Sequence, residues 1–190
     1  MTTKPARLSH VVLHSTDPKR LIDWYCDALG GEIVFDSPFF VFMTYDEEHH
    51  RVASLLSSTD SSSRTPGTGL SHVAFGFNTI GDLLDHYDRI KAQGNKPVTS
   101  IHHGPTISLY YKDVDGNNVE FFVDTMPPAE ATAFLKGPSY AQNPIGYEID
   151  PEDLVAQRAG GASDTELLAF DTEREVDIMA TLMRQQELLA

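Results

Sequence analysis

The chain has 190 residues, 41% of them apolar, enough for one domain with a sizeable core or two small modules sharing one, which excludes a wholly disordered polypeptide. A formal charge of −14, from 28 acidic against 14 basic residues, repels phosphate backbones and anionic lipid, and no Lys/Arg cluster opposes it, which argues against nucleic-acid and membrane partners. Cys26 is the only cysteine, so an intrachain disulfide is excluded; the polar start MTTKPARLSH reads as lacking a secretory signal, no apolar run approaches the ~18 residues of a membrane span, and a cytoplasmic protein is expected.

In chain order, a strand is predicted over about 7–14 and a helix over about 17–29. Asp17-Pro18 marks the helix start, a capping residue followed by a first-turn proline, and Gly30-Gly31 ends it. Trp24 and Tyr25 read as helix core residues. GEIVFDS, FFVFMTY and RVASLL follow as extended runs, and the Ser/Thr/Gly/Pro-rich stretch 58–69 reads as a linker. LSHVAFGF then opens a second strand, GDLLDHYDRIKAQG an amphipathic helix closed by Gly94, and KPVTSI, ISLYYKD and NVEFFVD three more strands, the last two joined by a turn at Asp115-Gly116.

The order of elements repeats because the sequence does. Leu8-Ser9-His10-Val11 returns as Leu70-Ser71-His72-Val73, an offset of 72 − 10 = 62 that also aligns Leu21 with Leu83, Asp23 with Asp85 and Tyr25 with Tyr87. A diverged internal duplication is the simplest source of such a pattern. The expected fold is α+β: two paired βαβββ modules, about 7–57 and 70–125, forming a curved, barrel-like mixed sheet around a shared cleft. Residues 1–126 form that domain. A helical C-terminal extension, 127–190, packs on it, with helices expected near 129–136, 151–159 and 171–189.

Three residues stand out chemically. His10 and His72 occupy equivalent positions of the two first strands, where pseudo-twofold symmetry would bring them together. Glu120 lies between Val119 and Phe121-Phe122, where an unpaired carboxylate costs several kcal/mol unless a cation or donor compensates it. Two imidazoles and one carboxylate on one face of a divalent metal leave its remaining positions open, the arrangement of non-haem iron(II) oxygenases. Shifted by the repeat offset, Glu120 falls on Ser58 (120 − 62 = 58), so the first half supplies no fourth ligand.

LSHVVL, LSHVAF and YYKDVDGNNVEFFVD together resemble the vicinal oxygen chelate superfamily over about residues 7–125. Within it the chain is similar to the one-domain type I extradiol ring-cleaving dioxygenases, and Asn143-Pro144-Ile145-Gly146 also looks like that group. The resemblance implies paired βαβββ modules and His10, His72 and Glu120 as ligands of iron(II), with manganese(II) accepting the same donors. It further implies a histidine from the His49-His50 pair, His50 being favoured, another from His102-His103, His103 being favoured, and Tyr110 ten residues before Glu120. His14 reads as a rim or packing residue. The implied reaction opens a catechol-type diol beside its hydroxyls with O2, in a chain expected to form a homo-oligomer. A glyoxalase-like lyase or epimerase and a drug-binding protein of the same fold are the alternatives.

Overall fold

The computed structural model describes residues 7–58, 69–181 and 183. Those residues fall into two units, Met1–Gly67 with Asp113–Asn117, and Thr68–Lys112 with Asn118–Ala190. Most of the expected linker, 59–68, lies outside the described residues.

The first unit contains β1 (Val11–Ser15), α1 (Pro18–Leu29), β2 (Glu32–Asp36), β3 (Phe40–Thr44) and β4 (Val52–Leu56). The sheet order is β1-β4-β3-β2, with β1 parallel to β4 and the other pairs antiparallel. Asp17 starts α1 by accepting a hydrogen bond from the Arg20 amide at 3.1 Å, and Gly30 ends it at φ 67°, a left-handed conformation that suits a residue without Cβ. Leu21, Ile22 and Tyr25 are fully buried on the face of α1 that packs on β3 and β4, each contributing about 1.5–3 kcal/mol of hydrophobic stabilisation. The Tyr25 hydroxyl donates to Asp113 at 3.2 Å. The same carboxylate accepts from the amides of Asp115 (2.9 Å) and Asn117 (2.8 Å), which shapes the Asp113–Asn117 turn.

The second unit repeats this plan with β5 (Val73–Phe77), α2 (Ile80–Ala92), β6 (Thr99–His102), β7 (Thr106–Lys112) and β8 (Asn118–Asp124). It continues through α3 (Pro128–Leu135), α4 (Pro138–Gln142), β9 (Tyr147–Glu148), α5 (Pro151–Ala159) and α6 (Asp164–Leu167). The order is β5-β8-β7-β6-β9, so the segment after β8 adds an edge strand to the sheet while α5 and α6 pack on α2. The molecule is therefore α+β, as expected, with one mixed sheet per module, and among the described residues neither sheet closes into a barrel.

Three local expectations are corrected. The ladders begin at Val11 and Val73, so His10 and His72 immediately precede β1 and β5 and do not lie within them; β4 begins at Val52, the partner of Val11, and offers residue 10 no partner. Residues 171–177 are not helical, and a helical stretch starts only at Ile178. That segment is drawn onto Tyr147 instead: the Asp171 amide donates to the Tyr147 hydroxyl at 3.0 Å, and the Arg174 guanidinium stacks 4.5 Å from the Tyr147 ring.

The third correction concerns the repeat. The offset of 62 superposes β1 on β5 and the starts of α1 and α2, but it does not persist. Val12 pairs with Ala53, whereas Ala74 pairs with Glu120, so the counterpart of Glu120 is Ala53 at an offset of 120 − 53 = 67, and not Ser58. The slot still carries no carboxylate.

Candidate metal and proton-transfer site

In the second unit, β8 and β7 place Glu120 directly opposite Tyr110 as cross-strand partners, so both side chains emerge on one face of the sheet. Their neighbours Tyr111 and Phe121 point the other way, ring to ring at 5.3 Å, and form the core with His86 of α2. His72, just ahead of β5, reaches the Glu120 face. Its Nε2 lies 2.9 Å from Glu120 Oε2, and its ring stands edge-on to Tyr110 at 5.7 Å.

Glu120 is only 8% exposed. Burial raises its pKa, but hydrogen bonds from His72, Ser108 and Tyr110 outweigh burial and leave it below the ordinary carboxylate value. The hydrogen bond to Glu120 raises the His72 pKa in turn, against the effect of burial. These two groups thus form an anion and a donor sharing a proton. Ser108 had not been singled out in the sequence; it lies two residues from Tyr110, and strand alternation alone puts it on the same face.

The adjacent histidines at the end of β6 divide, His102 being its last residue and His103 the next. His103 Nε2 lies 3.0 Å from the Tyr110 hydroxyl and its Nδ1 2.6 Å from the Ile145 carbonyl. His102 turns away: its Nε2 faces the Leu168 carbonyl at 3.3 Å, and its ring packs against Tyr147 and Phe170. Burial lowers both pKa values, that of His102 to about 4. Burial also raises the Tyr110 phenol, with the Glu120 charge adding to it, so the hydroxyl keeps its proton. That one proton has two acceptors within reach, Glu120 and His103.

The first unit gathers the other expected residues. His10 and His50 lie ring to ring at 4.4 Å, and His49 Nδ1 is 2.7 Å from His50 Nδ1. Burial lowers the His50 pKa, and His10 and His49 lower it further, which favours a neutral ring. Phe42 stacks on His50 at 4.9 Å and continues a row of rings through Phe35 and Phe40. His14 is exposed on β1. Among the described residues, no three or more His, Cys, Asp or Glu side chains are gathered as a metal-holding group; His72 and Glu120 are in contact in one unit, and His10 belongs to the other.

Comparison with known proteins decides the family. The model of the glyoxalase/bleomycin resistance protein/dioxygenase superfamily matches residues 7–121, both βαβββ modules nearly in full. The chain belongs to this superfamily. It is 46% identical to biphenyl-2,3-diol 1,2-dioxygenase 2 of Rhodococcus globerulus over 153 residues, 80% of each chain. It is 39% identical to biphenyl-2,3-diol 1,2-dioxygenase 3 of the same organism, across 96% of this chain and 99% of that one. The match to the second relative takes in the segment after β8 that the superfamily model omits. Among solved structures, lactoylglutathione lyase from Agrobacterium tumefaciens shares the fold at 20% identity, with a TM-score of 0.51 over 64% of this chain and 96% of that one.

Proposed function

We propose that this superfamily member is an extradiol dioxygenase that opens the ring of a catechol-type diol next to its hydroxyls, incorporating both atoms of O2. The observation that carries the reading is the His72–Glu120 pair with Tyr110 and His103 against it, in a chain similar over 96% of its length to a biphenyl-2,3-diol 1,2-dioxygenase. His10, His72 and Glu120 are proposed as iron(II) ligands, with manganese(II) compatible with the same donors. The donor set fits a divalent cation: a buried, ionised carboxylate is held mainly by His72, Ser108 and Tyr110, none of them a permanent cation, and an imidazole faces it.

Bound there, iron(II) would supply Lewis acidity toward the diol oxygens and electrons toward O2. The protein's own part is orientation and proton handling. The Tyr110 hydroxyl orients a diol oxygen, and His103 accepts and returns a proton at that oxygen, a role suited to a ring whose burial keeps it neutral near pH 7. Neutral His50 donates a hydrogen bond toward charge developing on the oxygen that attacks the ring. The lyase alternative in this fold calls for a further protein ligand from the first module, and Ala53 in the slot equivalent to Glu120 provides none.

The test is anaerobic loading with iron(II), addition of catechol, 3-methylcatechol or 2,3-dihydroxybiphenyl, and admission of air. Oxygen uptake with a yellow ring-opened product is expected, and silence with all three diols would contradict the proposal. In parallel, Glu120→Ala is expected to retain no iron after desalting; full occupancy in that variant would remove Glu120 from the ligand set.

A further inference from the structure

We propose that Asn143, in the segment that follows the family domain, is a positioning residue that fixes which nitrogen of His103 carries the proton; this rests on the role given above to His103. Strand β9 pairs with β6 through Tyr147 opposite His102, and that antiparallel register brings the residues just before Tyr147 alongside those just after His102. Gly146 is essential to this approach. Its φ is +88°, and a Cβ there would fall 2.0 Å from the His102 carbonyl oxygen and 2.8 Å from the His103 Cα.

Asn143 holds the turn from within. Its Oδ1 accepts from the amides of Ile145 at 3.2 Å and Gly146 at 2.9 Å, and its Nδ2 donates to the Gly146 carbonyl at 3.0 Å. The turn therefore presents the Ile145 carbonyl at a fixed place, 2.6 Å from His103 Nδ1. A carbonyl only accepts, so Nδ1 must donate. In the neutral ring Nε2 is then the lone pair, and it accepts from the Tyr110 hydroxyl 3.0 Å away. The opposite tautomer would lose the Ile145 bond, point an N–H at Tyr110 and push the tyrosine proton toward Glu120. The choice between these proton arrangements lies with a turn outside the two modules.

The neighbouring residue supplies an internal control. His102 Nδ1 accepts from the Gly104 amide at 3.2 Å and its Nε2 faces the Leu168 carbonyl, so backbone groups fix His102 as the reverse tautomer.

The experiment is long-range 1H–15N correlation NMR on full-length, metal-free protein labelled at histidine nitrogens, with the two signals assigned through His102→Gln and His103→Gln. His103 protonated at Nδ1 and His102 at Nε2 are expected in the parent chain. In N143A the His103 signal should move toward a mixture of tautomers while His102 stays unchanged. N143D keeps an oxygen to accept from the Ile145 and Gly146 amides but loses the bond donated to the Gly146 carbonyl, so it should restore the parent pattern in part. Parent His103 protonated at Nε2, or an unchanged His103 in folded N143A, overturns the proposal; the first of these needs no variant to fold. In iron-loaded enzyme, N143A should lower kcat roughly 10- to 100-fold with KM and iron content little changed, the scale of losing a partner that orients a site histidine, and N143D should recover part of it. If the parent chain opens no diol, the functional reading falls while the tautomer result still decides this inference.

Discussion

Glu120 and His103 show how far one residue's surroundings set its chemistry. Glu120 stays ionised in a buried strand because three proton donors meet it. His103 stays neutral because burial disfavours its cation, with its two nitrogens assigned to different partners. His102, one residue earlier, has the same side chain but faces Leu168 and Phe170. Substituting the two should therefore separate cleanly. His103→Gln is expected to retain iron and to lose roughly 100-fold or more in kcat, the lower range for removing a general acid or base. His102→Gln should keep most turnover and lower the unfolding free energy measured with denaturant by about 1–3 kcal/mol for disturbing a buried hydrogen-bonded ring. Equal effects on turnover would contradict the division. The pair HH was legible as a candidate from its place ahead of Tyr110, but which histidine faces the tyrosine is set by β6 pairing, which no spacing states.

At the scale of elements, local signals carried most of the information. Asp17-Pro18 and Gly30 mark α1 to within a residue, and the structure shows Asp17 capping the Arg20 amide. Asp17→Ala is expected to cost about 1 kcal/mol in chemical denaturation, the usual worth of a side-chain cap, and a change near zero would show that α1 is held by packing alone. The duplication was equally legible through the first strand and helix, and then drifts. Phe35 pairs with Phe42 across β2 and β3, seven residues apart, while the corresponding Thr99 and Tyr110 across β6 and β7 stand eleven apart. The second hairpin is longer by the stretch that carries His103 and Gly104. No rigid offset could follow that insertion, which is why the counterpart of Glu120 was misplaced at Ser58 and lies at Ala53.

For the whole molecule, the α+β class and the repeated βαβββ order follow from hydrophobic period and turn residues, which are local properties. The path of the chain after β8 does not. Pro138, Pro144 and Pro151 interrupt regular structure in this stretch, but the return of Tyr147–Glu148 to the edge of β6 depends on long-range pairing that composition does not encode. The second unit also stores two neutral buried histidines, His86 between Phe77 and Phe121 and His102 near Phe170, each with its pKa pushed down to about 4 by burial. Because the unfolded chain binds protons at these sites near pH 6.5 and the folded one only near 4, folding stability should fall as pH drops through that window. The loss is at most about 3 kcal/mol per histidine at pH 4. Thermal unfolding of His86→Phe should accordingly decline less steeply between pH 6.5 and 4 than that of the parent chain, and parallel profiles would show that His86 does not contribute.

The function assigned to the molecule rests on where the diol ring breaks. The most direct measurement is the identity of the product formed from catechol by iron(II)-loaded enzyme in air, by mass and NMR. A hydroxymuconic semialdehyde, opened beside the two hydroxyls with one O2 consumed per ring, is the predicted result. An intact ring, or a muconic diacid opened between the hydroxyls, would contradict it.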